Sequence, residues 1–456
     1  MIDLALSQTA ELLHGRHLGA DVAFSSVSTD TRTLSHGDLF VALEGPNFDG
    51  HEFLAQAEEQ GAIGALVSRE VSTDLPRVQV KDTRVGLGEL AAQWRQLSKA
   101  KLVAVTGSNG KTTVKEMIAA ILQRKGATLA TQGNLNNDIG LPLTLLRLQE
   151  EPYAVIEMGA NKAGEIGYLS GIARPDVAIL NNAGSAHLEG FGSPEGVARA
   201  KAEIITGLVQ GGTFVFNADD QWADLWRELA GECALRTFGL TASADVSSRP
   251  DAVEMRWDGA GFFSRFPVFT PEGEIEIDLH LAGRHNLMNA LAAIAAAQLM
   301  GAGADDICGG LASMKPVQGR LQPRAGIGGV RLIDDSYNAN PDSVAAAISV
   351  LATAPASRRF LVLGDLAELG PEAESLHEAL GEQARAAGIE YLYCTGDNCR
   401  AAIRGFGEDG RHFSDQEALA DALREILEPE DCVLVKGSRS ARMEQVVAAL
   451  SDKEGS

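Results

Sequence analysis

Apolar and polar positions along the 456-residue chain fall into short apolar runs separated by amphipathic stretches. A helix-like start over 4–13 is followed by runs at 38–43, 64–67 and 78–80, which predict strands. Residues 85–98 read as a helix leading into the apolar run 102–105. Beyond a polar turn, Val114, Met117, Ile118, Ile121 and Leu122 recur at i, i+3, i+4, i+7 and i+8, one stripe of an amphipathic helix. Further runs at 154–158, 177–180 and 213–217 alternate with helical stretches. That alternation predicts a mostly parallel sheet covered on both faces. Residues 247–281 read as antiparallel extended pieces with Gly and Pro turns, and the Ala-rich stretch 289–300 as a buried helix.

A linker is expected near Met314-Lys315-Pro316. After it, runs at 330–334, 360–364, 391–395 and 433–435 repeat the strand–helix alternation, and Met443, Val446, Val447 and Leu450 mark a last helix. This is a Rossmann-like pattern without a G-x-G-x-x-G fingerprint. The fold class expected is α/β in three domains, over 1–83, 84–313 and 314–456. The first is small and α/β, the second a mostly parallel sheet with a phosphate loop, the third Rossmann-like.

Composition narrows the function. A formal charge of −23 argues against a general nucleic-acid binder, which carries a basic face. It also opposes nucleotide ligands, so local cations and Mg²⁺ must reverse the sign inside any nucleotide cleft. Five scattered cysteines form no metal or disulfide framework, which fits a reducing cytoplasm. The first residues, Met1-Ile2-Asp3-Leu4, lack a basic region and a long apolar core, so no signal peptide is expected. No apolar run approaches the length of a membrane span, and no stable membrane association is expected.

The turn between the 102–105 run and the amphipathic helix reads Thr106-Gly107-Ser108-Asn109-Gly110-Lys111-Thr112-Thr113. Strand, Gly-rich turn and helix N-terminus are the context of a phosphate-binding loop. Backbone N–H groups and the helix end attract phosphate, Lys111 reaches the terminal phosphates, and the Thr112 hydroxyl suits Mg²⁺. The first glycine of the usual spacing would fall at Val105, so the loop is a shortened version. A surface turn would explain neither the preceding strand nor the Lys-Thr pair.

Other polar groups follow strand ends, where ligands of α/β sheets gather. Glu157 ends a buried strand and needs either a metal ion or a basic partner. His187 follows the 177–180 run, as a ligand or as a structural histidine. Lys201 lies in an amphipathic helix and by composition is a solvated lysine. The amide-rich loops Gly133-Asn134-Leu135-Asn136-Asn137 and Asp334-Asp335-Ser336-Tyr337-Asn338-Ala339-Asn340 suit a peptide or sugar, or are plain turns. Lys436-Gly437-Ser438-Arg439 suits an anion or a helix cap.

Together these segments resemble the Mur ligases, ATP-dependent amide-forming enzymes of bacterial peptidoglycan synthesis, over essentially the whole chain. The phosphate loop matches the family's shortened form. The two amide-rich loops look like those of the member that adds a dipeptide. The stretch Ser28-Thr29-Asp30-Thr31-Arg32, with Asp49-Gly50-His51, resembles the uridine-nucleotide domain. No Asp-Asn-Pro-Arg run like that of the third-residue-adding ligase is present.

The resemblance implies ATP and two Mg²⁺ ions as cofactors, with UDP-N-acetylmuramoyl-tripeptide and D-alanyl-D-alanine as partners, and a monomer is expected. It assigns Gly107, Ser108, Asn109, Gly110, Lys111, Thr112 and Thr113 to the phosphates, and Asn286 and Asn289 to the adenine side. Arg320 meets the γ-phosphate and Asp335 the ribose. Thr112 and Glu157 bind one Mg²⁺, and His187 a second together with Lys201 carbamylated by CO₂. Lys111, His187, Lys201 and Arg320 are the catalytic set. Ser28, Asp30, Arg32, Asn47, Asp49, His51, Asn134, Asn136, Asn137, Asn338 and Asn340 are assigned to substrate. A third-residue ligase, a folate polyglutamylating enzyme and a nucleotide switch without ligase activity are the rival readings.

Overall fold

The computed structural model describes residues 4–184, 188–241, 243–257 and 261–452. Near the N-terminus, Leu4 and Ala5 pair with Phe24 and Ala23 and helix α1 spans Leu6–Leu12, so the expected helix loses its first two residues to a short strand. Strands β1 (Arg16–Leu18), β2 (Ser26–Ser28), β3 (Asp38–Val41), β4 (Gly64–Val67) and β5 (Arg77–Gln79) form a sheet ordered β1-β5-β4-β3-β2. Its pairings are parallel except for β1 on β5.

Helix α2 (Thr83–Leu97) starts at Asp82, whose carboxylate accepts from the Arg84 N–H at 2.7 Å and the Val85 N–H at 3.1 Å. These bonds satisfy donors that the first helical turn leaves orphaned. Leu87, Leu90 and Ala91 share one apolar cluster with Leu39, Val41 and Leu66 of the first sheet and Leu141, Leu145 and Leu169 beyond it. The helix is therefore a common wall of two regions.

The central region contains β6 (Lys101–Thr106), α3 (Lys111–Gln123), β7 (Thr128–Ala130), α4 (Gly140–Leu146), β8 (Tyr153–Glu157), β9 (Val177–Leu180), α5 (Pro194–Ala202), β10 (Thr213–Asn217), β11 (Ala234–Gly239) and β12 (Val246–Ser248). These strands run parallel in the order β7-β8-β6-β9-β10-β11-β12. Antiparallel strands β13 (Glu254–Trp257), β14 (Phe262–Thr270) and β15 (Gly273–Leu279) extend the far edge. In β6, Leu102 and Ala104 face the cluster of α2 and α4, while Val103 and Val105 face α3 and the Ala-rich helix α6 (Arg284–Leu299). Both faces are covered, which is why these strands read as continuous apolar runs. Strands β7 and β11 escape the hydropathy pattern. The first is a three-residue edge strand, and Arg236 and Thr237 interrupt the second. Helix α6 begins five residues before the expected 289, because the polar Arg284-His285-Asn286 turn belongs to it.

The last region holds β16 (Gln322–Ala325), β17 (Arg331–Asp335), α7 (Pro341–Thr353), β18 (Arg359–Gly364), α8 (Ala373–Ala386), β19 (Tyr391–Thr395), β20 (Gly410–Phe413), β21 (Cys432–Lys436) and α9 (Glu444–Leu450). Its sheet order is β16-β17-β21-β18-β19-β20, parallel except for β16. Alternate side chains again separate. Ile333, Leu361 and Leu434 face α7 and α8, whereas Leu332, Val362 and Val435 face α9. No helix among the described residues is long and apolar enough to cross a membrane.

Asp82→Ala removes both cap bonds of α2 and is expected to cost about 1 kcal/mol, read as a lower urea midpoint at unchanged slope. Asp82→Asn should recover most of the loss. Equal destabilisation by both substitutions would show that the cap is not the cause.

Candidate active site

Strand β6 delivers the chain to the phosphate loop at the carboxyl end of the sheet. Gly110 has a left-handed φ of 78°, and a Cβ there would collide with the side-chain amides of Asn289 and Asn181, so the position requires glycine. The Lys111 ammonium curls back to donate to the carbonyls of Gly107 at 2.7 Å and Ser108 at 3.2 Å. Burial lowers its pKa, Glu157 opposes that shift, and Arg320 adds to it. Thr113 is buried one residue beyond Thr112 at the start of α3.

Parallel pairing sets Val105 opposite Glu157, so the carboxylate at the end of β8 stands beside the loop. The Thr112 hydroxyl donates to Glu157 Oε2 at 2.9 Å, and Asn136 Nδ2 donates to Oε1 at 2.7 Å. A hydroxyl and a carboxylate side by side are hard oxygen donors that fit Mg²⁺. Among the described residues Glu157 forms no ion pair within contact distance, and the nearby Lys111 ammonium feels its charge.

Asparagine side chains fix the loop from behind. The Asn109 N–H donates to Asn182 Oδ1 at 2.8 Å, and Asn181 and Asn182 each donate to the Asn109 carbonyl at 3.0 Å. Asn181 also donates to Asn289 Oδ1 at 3.0 Å, and Asn289 to Asn286 Oδ1 at 3.1 Å. The Ser108 hydroxyl and the Gly184 backbone exchange bonds at 3.0 and 3.2 Å. Asn181 and Asn182 are absent from the sequence-based assignment, although their place directly after β9 was the available signal.

Lys201 corrects its composition-based reading as solvated. It is 2% exposed, at the inner face of α5, and lines the same cleft as the phosphate loop. Helical amphipathy hides this, because its neighbours Glu195 and Arg199 are exposed. Its Nζ lies 5.7 Å from the Phe191 ring centroid and has no ion-pair partner among the described residues. Burial drives its pKa well below the usual lysine value, with Lys111 adding to the shift. His187 lies outside the described residues.

The last region closes the cleft from the other side. Arg320 Nη2 donates to the Thr112 hydroxyl at 3.1 Å, with its guanidinium over the Tyr337 ring at 4.5 Å. Asn340 Nδ2 donates to Asn109 Oδ1 at 2.8 Å, while its Oδ1 caps α7. Asp335 is buried and pairs with Lys436 at 2.6 Å. Burial raises its pKa, and Lys436 opposes the shift. Asn338 accepts from the Ala339 and Arg439 N–H groups. The cleft between these regions encloses about 1470 Å³.

Two groups of expected substrate residues behave differently. In the first amide loop, Asn136 donates to Glu157, Asn137 Oδ1 accepts from the Ile139 and Gly140 N–H groups just before and at the start of α4, and all three asparagines, with Asn134 exposed, line the cleft. Ser28, Asp30, Arg32, Asn47, Asp49 and His51 are not among the residues lining the cleft. Asp30 is bound by the Arg32 guanidinium, which holds its carboxyl near pKa 2. Asp49 bonds to His51 and Arg69, and the Ser68 N–H donates to His51 Nε2 at 3.0 Å. Asn47 is exposed beside them in sequence.

Comparisons with known proteins follow this layout. The chain matches the models of the Mur ligase family, catalytic domain, over 23–95, the Mur ligase middle domain over 105–297, and the Mur ligase, glutamate ligase domain, over 319–439. It is 48% identical to UDP-N-acetylmuramoyl-tripeptide--D-alanyl-D-alanine ligase of Escherichia coli (strain K12), covering 99% of each chain. The crystal structure of MurF from Acinetobacter baumannii superposes with a TM-score of 0.91 at 34% identity, over 98% of this chain and 99% of that one. MurF ligase from Thermotoga maritima, solved in complex with ADP, gives a TM-score of 0.83 at 30% identity, over 93% and 96%. By its α/β architecture and its full-length similarity, the chain belongs to the Mur ligase family.

Proposed function

We propose that the chain is an ATP-dependent ligase that joins D-alanyl-D-alanine to UDP-N-acetylmuramoyl-tripeptide, yielding UDP-N-acetylmuramoyl-pentapeptide, ADP and phosphate. The observation that carries this reading is the 3.1 Å contact from Arg320 of the last region to Thr112 of the phosphate loop. It brings a cation from one region across the phosphate site of another. The names of the full-length relatives support the same choice of substrates.

In this reading residues 1–83 hold the UDP-sugar, 84–313 the ATP and 314–456 the incoming dipeptide. The tripeptide carboxylate attacks the γ-phosphorus of ATP, forming an acyl phosphate and releasing ADP. The dipeptide amine then attacks the acyl carbon, a C–N bond forms, the nitrogen loses a proton, and the C–O bond breaks with its electron pair leaving on phosphate. Lys111 and Arg320 stabilise charge that builds on the transferring phosphoryl group, Lys111 by exchanging its bonds to the loop carbonyls for phosphate oxygens. Thr112 and Glu157 are the residues that would hold Mg²⁺, which supplies further positive charge at the phosphates. A closed cleft keeps water from the acyl phosphate.

Lys201 fits carbamylation, because burial lowers its pKa and so favours the uncharged, nucleophilic amine. Its nitrogen adds to CO₂, an N–C bond forms, one proton leaves, and the product carries a negative charge. That carbamate, with His187, would suit a second Mg²⁺. In this reading the working unit is a monomer, and dependence on ATP fits a cytoplasmic compartment.

The direct test is phosphate release with ATP, Mg²⁺ and UDP-N-acetylmuramoyl-tripeptide, comparing D-alanyl-D-alanine with single amino acids and no amine. Release only with the dipeptide, with UDP-pentapeptide formed, is the expected outcome. Turnover with a single amino acid on UDP-dipeptide would reassign the step. Lys111→Ala should abolish turnover while titration calorimetry still detects UDP-tripeptide binding; loss of both together would count against the domain roles. Lys201→Ala should be inactive and partly rescued by a small carboxylate, and normal unrescued activity would exclude the carbamate.

A further inference from the structure

Lys115 is a buried charge that the chemistry above leaves without a task. It sits in the second turn of α3, three residues after Thr112 and on the same face, and is 1% exposed. Its ammonium pairs with Glu116 and donates to the Thr131 carbonyl at 2.8 Å. An ammonium gives up its hydration to sit there, a cost that an apolar side chain of similar size avoids. What it adds in return is its hydrogen bonds.

Those bonds grip the end of an edge strand. β7 spans three residues and pairs only with β8. Thr131, the next residue, is 1% exposed and tied in three directions. Its N–H donates to the Val155 carbonyl at 3.0 Å, its carbonyl takes the Lys115 ammonium, and its hydroxyl oxygen accepts the Glu157 N–H at 3.0 Å. The chain then enters the first amide loop. There the Gly159 N–H donates to the Asn136 carbonyl at 2.9 Å, and the Asn136 amide donates to Glu157 Oε1 at 2.7 Å. Helix α3 therefore holds Glu157 twice. Thr112 reaches its carboxylate directly, and Lys115 reaches its backbone through Thr131.

We propose that Lys115 and Thr131 form a strut that sets the register of Glu157 and the amide loop against the phosphate loop, and so tunes how tightly the site takes its divalent cation. This rests on the ligase reading above, in which Thr112 and Glu157 would hold Mg²⁺. Supports behind a ligating carboxylate tune metal affinity without touching the ion. Neither Lys115 nor Thr131 lines the cleft, so both are positioning residues.

The test compares ADP affinity, by titration calorimetry in EDTA and in saturating Mn²⁺, for the full-length protein and its Lys115→Met, Thr131→Val and Thr131→Ser variants. Loss of such a support costs about 10- to 100-fold in metal affinity. Lys115→Met and Thr131→Val should therefore bind ADP normally in EDTA and roughly tenfold more weakly than wild type in Mn²⁺. Thr131→Ser keeps the hydroxyl and should stay within about twofold of wild type in both conditions. In turnover, half-saturating Mg²⁺ should rise by a similar factor, while kcat at saturating Mg²⁺ falls by less than about threefold. The double variant Lys115→Met/Thr131→Val should lose little more than either alone, because both break one path. Wild-type affinity in Mn²⁺ for Lys115→Met and Thr131→Val, whatever their melting temperatures, would overturn the strut. Equal weakening in EDTA and in Mn²⁺ would overturn it too, since the phosphate loop itself would then be disturbed. If Lys115→Met does not fold, Thr131→Val set against Thr131→Ser decides the question alone. Glu157→Gln that keeps the wild-type gain from Mn²⁺ would refute the metal assignment, and the strut's role in metal affinity with it. Wild type that forms no UDP-pentapeptide would sink the ligase reading instead, while the nucleotide titrations would still judge the strut.

Discussion

Crowding of basic side chains in one cleft is the constraint on which this molecule is built. Lys111, Lys201, Arg320 and Lys436 converge on one cleft of a chain whose formal charge is −23. Buried like charges repel and lose hydration, so each needs a local answer. Lys111 is answered by two backbone carbonyls, Lys436 by Asp335 and a carbonyl, and Arg320 by an aromatic face and a hydroxyl. Lys201 has only an aromatic ring among the described residues, and its pKa falls accordingly. These basic groups gather beside the phosphate loop, within a cleft whose wall also carries Glu157 and Asp335.

Neutral amides complete it. Asn109, Asn181, Asn182, Asn286, Asn289 and Asn340 hold the loop through hydrogen bonds that carry no net charge. Aspartates in the same places would have weakened the field that the cations create. The amides also link the central region to the last one, since Asn340 of α7 reaches Asn109 directly. Both sides of the cleft therefore meet at the phosphate loop.

Rigidity behind the cleft comes from strand alternation. In β6 the side chains divide between two apolar clusters, so the strand is gripped from both faces before it enters the loop. Helix α2 extends one of those clusters into the first sheet, which couples the N-terminal region to the central one through packing. The site is built from loops at strand ends, but the strands beneath have little freedom to shift.

Much of this was legible in the amino-acid order, because it is local. Strand and helix periods follow from side chains a few residues apart, and the phosphate loop needs only its own glycines, lysine and threonine. The α/β class, the antiparallel extension after 247 and the second alternating region followed from the same short-range patterns. Edge strands β7, β16 and β20 did not, since short strands with one open edge carry too few apolar residues to show a period. Charge states and partners lay beyond sequence for a different reason. Whether Lys201 is solvated, whether Asn136 meets Glu157, and what Asp335 touches depend on residues tens to hundreds of positions away. Only the tertiary structure brings those groups within hydrogen-bond distance, and desolvation, which sets their chemistry, exists only once the chain has closed around them.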